Sequence, residues 1–356
     1  MMKAHNEDPN RVLQTIRLSD RLAEDIRLRG LEPGAPYYTT QEASRFLKVA
    51  GTFANQALQL LEKRQIIKRS QRLGSFVQSV PEQYEHDISH VTFLIYDHYF
   101  RKEGAGSGDL MAGLQAELPM AHVELGLLQA NREEDLVIRI IKNALANNEV
   151  DAFVLFSTSF AVQQIIMESG FPAVIHGTPH FSIDLPYLER DHAEAHRRII
   201  QHLRSRKRKN LVYMIRDIIR PGDKVSMAAF RKFPEFTKET PILFTTENED
   251  EITAEIQNLY DSGYRPDAFI CNSIVQAEMV EEIMRGRKLT PYQDADIIVA
   301  TYYLQRGAYA KYTHIEIDLS SEEIGRTLGR MLKEKSKGQA VQNRISPVRL
   351  VLCQRE

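Results

Sequence analysis

Thr52, Asn55, Gln56 and Gln59 recur at the spacing of one outward helix face. Each amide carries a donor beside an acceptor, the pattern that matches an adenine edge in the major groove of duplex DNA. A second set of polar side chains gathers where apolar, strand-like segments end: Asp97, His98 and Tyr99, then Ser157, His176, Asp191, Asn272 and Ser273, and Tyr302. Aromatic rings beside a few hydrogen-bonding groups suit a sugar or related polyol. Other combinations carry less chemistry. His192 and His196 lie four apart on one helix with His202 beyond, but no Glu or Cys completes a metal-ligand pattern. No Ser/His/Asp or Cys/His arrangement has supporting context, so no catalytic residues, metal or cofactor are expected.

The base-reading candidates sit in a segment that predicts a winged helix-turn-helix over residues 1–77. Leu18, Leu22 and Ile26 line one helix face, and a turn at Pro33-Gly34 follows. Thr39-x-x-Glu42 is a capping box opening a short helix with Ala43, Phe46 and Leu47 inward. Ala54, Ala57, Leu58 and Leu61 bury the apolar side of a third helix, Gly51 to Lys63, whose outer side bears the amides. Ile66 to Arg69, a turn at Leu73-Gly74, and Ser75 to Val77 predict a hairpin, the wing. Met1 to Ser79 holds 13 Lys/Arg against 8 Asp/Glu, while the remainder holds 33 against 40, within a whole-chain charge of −2. The cations therefore cluster where phosphate would lie. Arg45, Lys48, Lys68, Arg69 and Arg72 are the expected phosphate contacts, with Gln41 and Gly74 beside them.

The chain has 356 residues, 43% of them hydrophobic and 26% charged, which suits a small head on a larger body. The N-terminus lacks the apolar core of a signal peptide, and no apolar run is long enough to cross a bilayer. Cys271 and Cys353 lie far apart in apolar contexts, as reduced thiols in the cytoplasm would. A polar linker, 78–89, leads to a body, 90–356, in which apolar strands alternate with amphipathic helices. That alternation predicts an α/β fold of two doubly wound parallel-sheet lobes. Glu103 to Asp109 reads as a flexible turn at the lobe cleft, and Arg204 to Lys209 as a solvated helix end. Glu133-Glu134 reads as part of a solvent-facing helix surface.

From Leu22 to Val77 the run LAEDIRLRGLEPG…TTQEASRFLKVAGTFANQALQLLEKRQIIKRSQRLGSFV resembles the GntR-type winged-helix domain, with Val49, Thr52, Ala57-Leu58, Leu61-Glu62, Arg69, Gly74, Phe76 and Val77 on the family pattern. The family usually places base-contacting arginines where this chain has Gln41, Gly51 and Asn55. Because Arg reads guanine and the amides favour adenine, a half-site poorer in G·C follows.

The body resembles the LacI/GalR regulator core, which shares the type I periplasmic-binding-protein fold. VDAFVLFST, SGFPAVIHG, MAAFRKF, PDAFICNS, DADIIVATYY and THIEIDLSSEEIGRTLGRML, in that order, carry the likeness. It implies one lobe from 90–190 plus 303–335 and another from 191–302 plus the C-terminal strand. The combination resembles the architecture of bacterial arabinose repressors. It implies a homodimer that binds double-stranded operator DNA under the control of a small, sugar-like effector between the lobes. The Arg and Asp that usually grip the effector are replaced here by Ser226 and Ser273. A ligand sensor with a degenerate head, acting through protein contacts, is the alternative.

Overall fold

A computed structural model of the chain describes residues 9–70, 74–79, 88–103, 105–130, 132–147, 151–217, 220–246, 248–301 and 310–353. The head comprises α1 (Pro9–Leu28), β1 (Pro36–Tyr37), α2 (Thr40–Leu47), α3 (Gly51–Lys63), β2 (Ile67–Ser70) and β3 (Gly74–Val77). Its strands form an antiparallel sheet in the order β1-β3-β2. Leu22, Ile26, Ala54, Ala57, Leu58, Leu61 and Ile67 are fully buried in one cluster that joins all three helices to the hairpin. Both halves of the Thr39/Glu42 capping box are made, satisfying two amides at the start of α2. Lys48 ends α2 in the left-handed conformation, φ 57°, and turns the chain towards α3. Phe46 departs from its expected inward position: it is exposed and meets the Tyr38 ring at 5.3 Å. Ala43 and Leu47 already fill the narrow buried side of this short helix.

The body opens with β4 (His90–Tyr96), α4 (Asp97–Glu103), α5 (Ala105–Glu117), β5 (His122–Leu128), α6 (Glu133–Asn147), β6 (Asp151–Phe156), α7 (Phe160–Ser169), β7 (Ala173–His176) and β8 (Tyr187–Arg190). It continues with α8 (His192–Ser205), β9 (Leu211–Arg216), α9 (Pro221–Phe230), β10 (Ile242–Thr245), α10 (Glu249–Asp261), β11 (Ala268–Cys271), α11 (Ile274–Gly286) and β12 (Asp296–Val299). β13 (Thr313–Ile317), α12 (Ser321–Ser336), β14 (Arg344–Ser346) and β15 (Val348–Val351) close the chain. Two six-stranded sheets result, β14-β8-β7-β6-β4-β5 and β10-β9-β11-β12-β13-β15. All neighbours are parallel except the β13/β15 pair. The inner strands β6, β7, β11 and β12 are buried along their whole length because helices cover both faces.

The chain passes between the lobes at Asp191, between β13 and α12, and at Pro347. These crossings are tied side by side, Asp191 N–H donating to the Ser346 carbonyl at 3.0 Å and Asp318 N–H to that of Pro347 at 3.0 Å. The structure corrects the expected division of lobes: β13 pairs with β12 and β15 in the second sheet, and only the following α12 returns to pack on α5 in the first lobe. The helices α5 and α12 cross closely enough that a Cβ at Gly113 would strike the Glu322 carbonyl, and one at Gly325 that of Leu110. The expected flexible turn is also corrected. Glu103 ends α4, and Ala105 to Asp109 begin α5, where Ser107 is buried; Gly104 lies outside the described residues. Nor is Arg204 to Lys209 a solvated end. Arg206 and Arg208 both pair with the buried Asp296 carboxylate, each at 2.9 Å, and donate to the Tyr292 carbonyl.

Candidate functional site

The C-terminal ends of strands from both sheets face one another across a cleft enclosing about 590 Å³, the position where open α/β sheets bind ligands. From the first lobe come Tyr96 and Phe156 at strand ends, His98 and Tyr99 in the first turn of α4, the loops carrying Ser157, Thr158 and Thr178, and His176; from the second, Arg216, Arg220, Gly222, Asp223 and Ser273. His98, Tyr99, Ser157, His176 and Ser273 thus line it as the sequence suggested. Asp97, Asp191, Ser226 and Asn272 stand off it. Asp97 opens α4 and pairs with Arg101 at 2.9 Å; Asp191 caps α8, accepting from Glu194 N–H at 2.8 Å. Ser226 and Asn272 are buried behind the wall, on His192 and Asp223 respectively. Tyr302 lies outside the described residues.

Sequence reading missed the charged lining. Arg190 is buried and works as a strut between lobes, donating to the Ala300 carbonyl at 2.6 Å and approaching Ser226 Oγ at 3.4 Å. Beside it His192 Nδ1 lies 2.7 Å from Ser226 Oγ and Nε2 lies 3.3 Å from Glu189. Burial, then the Arg190 charge, lowers the His192 pKa. Burial works against ionisation of Glu189, yet His192, the Thr178 hydroxyl and Arg190 together hold its carboxyl down at about 2. Ser226, where a family arginine was expected, is therefore a partner for an arginine at the end of β8 and a histidine at the start of α8. His196, four residues on, bonds the His192 carbonyl through Nδ1 at 2.8 Å, so its ring is committed to packing.

The remaining wall is aromatic. Tyr96, His98 and Tyr99 rings adjoin one another, and the Arg220 guanidinium stacks 4.3 Å over Tyr99 from the opposite lobe. Glu133, expected on a solvent-facing surface, lines the cleft and accepts from Tyr96 OH at 2.8 Å. Burial pushes His176 down to about 4, so it presents a neutral ring beside Phe156. Ser157 holds φ 51°, an unfavourable conformation for a non-glycine residue, where β6 delivers the chain to the cleft.

In the head, Thr52 and Gln59 are exposed and Asn55 and Gln56 half-buried, opposite the buried Ala54, Ala57, Leu58 and Leu61. Ala50 offers the first turn of α3 no side-chain cap, leaving amides suited to an anion. Gln41, Arg45, Lys48 and Lys68 are exposed on the same unit, and Gly74 (φ 94°) starts β3. Arg69 does something the sequence did not disclose. Its guanidinium donates to Asn55 Oδ1 at 2.9 Å and Thr40 Oγ1 at 3.2 Å, tying the hairpin to the polar face of α3. Arg72 lies outside the described residues.

No family model matches the chain, and no curated protein matches it. Solved structures do. The transcriptional regulator CelR in complex with cellobiose is 15% identical, with 95% of this chain and 98% of that one covered and a TM-score of 0.61. A regulatory protein of the LacI family from Chloroflexus aggregans is 17% identical over 74% of this chain and 96% of its own, TM-score 0.61. The Lac repressor dimer bound to operator and the anti-inducer ONPF is 14% identical over 75% and 93%, TM-score 0.60. The likeness is one of fold: this chain has the two-lobed, periplasmic-binding-protein-like architecture of LacI-type regulators. No helix among the described residues is long and apolar enough to cross a membrane.

Proposed function

We propose that this protein is a cytoplasmic, homodimeric transcription regulator that binds duplex DNA through its head and a sugar or related polyol between its lobes. The head is read as a GntR-type winged helix: three helices and an antiparallel sheet present α3 with its apolar side buried and its amide-bearing side outward. That one-sided helix, joined in a single chain to an interlobe cleft, is the observation that carries the reading. One α3 from each subunit would enter a major-groove half-site, the two half-sites lying about one turn of duplex, or a multiple of about 10 bp, apart. Effector binding would change lobe closure and hence the separation of the heads, so that effector and operator affinities are coupled reciprocally. The CelR–cellobiose complex and the operator-bound Lac repressor dimer, each sharing the fold, support both partners. The hydroxyl beside His192, Ser226 Oγ, is buried behind the cleft wall, and binding without turnover is the role read for the cleft.

Selection of bound duplexes from a randomised library at several salt concentrations tests this. The expected result is a defined, A·T-leaning half-site, with the logarithm of affinity falling by about 0.9 per phosphate contacted for each unit of log salt. A steep salt slope with no preference among sequences would replace it with a sensor acting through protein contacts. Absence of duplex binding in dilute buffer would remove the DNA-binding role altogether.

A further inference from the structure

We propose that the cleft ligand is a polyol carrying one anionic group, a phosphate monoester or a carboxylate, received by Arg216, Arg220 and the first turn of α9. The proposal rests on the cleft being the effector site and names the class of effector it takes.

The lining carboxylates and guanidiniums balance, Glu133, Glu189 and Asp223 beside Arg190, Arg216 and Arg220. Their partners differ. Glu189 accepts from the Thr178 hydroxyl and the Arg190 backbone N–H (2.8 Å). Asp223 accepts from the Arg220 backbone N–H at 3.0 Å and from Asn272 Nδ2 at 3.4 Å, and Glu133 from Tyr96 OH. The carboxylates are thus held by the protein itself.

Arg216 is not. Its nearest carboxylate oxygen, on Asp223, is 3.7 Å away, beyond hydrogen-bonding reach, and its Nε is buried with no partner. A buried guanidinium N–H left unmade is costly, and a ligand oxyanion completes it. Arg220 stands four residues on, at the N-cap of the ten-residue α9, where Asp223 takes the Arg220 backbone N–H and no N-cap side chain takes the first-turn amides. An arginine has no acceptor to offer the first-turn amides, so the positive end of the helix adds to two guanidiniums on one wall. The wall across the cleft has the opposite character. Tyr99 OH and Thr158 Oγ1, on residues 6% and 3% exposed, are buried without partners, while Phe156 and His176 provide flat apolar faces. Hydroxyls and a sugar face fit there; an anion fits opposite. A neutral sugar would meet the Tyr99/Thr158 wall and offer Arg216 only a hydroxyl oxygen, a weaker acceptor than an oxyanion.

The test is calorimetric titration of the full chain with three- to seven-carbon sugars, each with its phosphate monoester and its aldonic acid, at low and high salt. At least one acidic member should bind about a hundredfold more tightly than its neutral parent and weaken as salt rises. Tighter binding by the phosphate or by the aldonate identifies the source of the charge. Arg216→Gln should weaken that ligand by about tenfold or more, and Arg220→Lys by less than Arg220→Gln. Thermal unfolding of each variant verifies that it is folded. Neutral sugars binding as well as their acids, or Arg216→Gln leaving acid binding unchanged, would overturn the proposal while keeping a sugar-responsive regulator. Failure of every member, neutral or acidic, would overturn both.

Discussion

Gln59 and Arg69 do different work within a few ångströms of the expected DNA surface. Gln59 is exposed on α3, so Gln59→Ala should cost about 1–3 kcal/mol at the preferred half-site, the worth of one good base contact. Competition anisotropy measures this, and the unfolding midpoint should not move. Arg69 binds Asn55 and Thr40 instead of pointing freely outward. Arg69→Ala should therefore lower DNA affinity without changing the salt slope and destabilise the head by about 1 kcal/mol. Lys68, exposed on the neighbouring position, should behave oppositely: Lys68→Ala should reduce the slope by about one and leave folding intact. Equal slopes for the two variants would contradict this assignment.

Between elements, the contact of α5 with α12 is the least forgiving. Gly113 and Gly325 each sit against the backbone of the facing helix, and Gly329 against the Glu117 side chain. Gly325→Ala must push the helices apart, and overpacking of this kind typically costs about 1–3 kcal/mol. Gly108 is also in α5, but a Cβ there meets nothing within 4 Å, so Gly108→Ala should be neutral or stabilise by about 0.4–1 kcal/mol by restricting the unfolded chain. Chemical denaturation of both variants reads the contrast.

Across the whole molecule, buried histidines set the response to acid. Burial lowers His176 to about 4 and His196 to about 3, below the ordinary value near 6.5. The unfolded chain therefore binds more protons than the folded one between those values, and stability rises with pH there. The contribution is complete above about 6.5 and is lost as pH falls towards 4 for His176 and 3 for His196. Glu189, depressed to about 2, adds a loss of the same sign below the ordinary glutamate range. Urea midpoints should fall steadily from neutral pH to 5, and His176→Asn should flatten that slope. A midpoint indifferent to pH over this interval would refute the assignment.

Periodicity within the chain determined much of this protein. The third head helix was legible as Gly51 to Lys63, because burying Ala54, Ala57, Leu58 and Leu61 leaves the amides nowhere but outside. The alternation of apolar strands and amphipathic helices likewise implied two covered parallel sheets. Those signals are local, set by residues a turn or a strand apart. Only the tertiary structure decided which lobe receives β13, since either sheet could bury THIEI. Only it joined Arg208 to Asp296, 88 positions away, and brought Arg190, Arg216 and Arg220 to one cleft. A charge shows its sign in sequence but not its partner; the partner is chosen when distant strand ends meet.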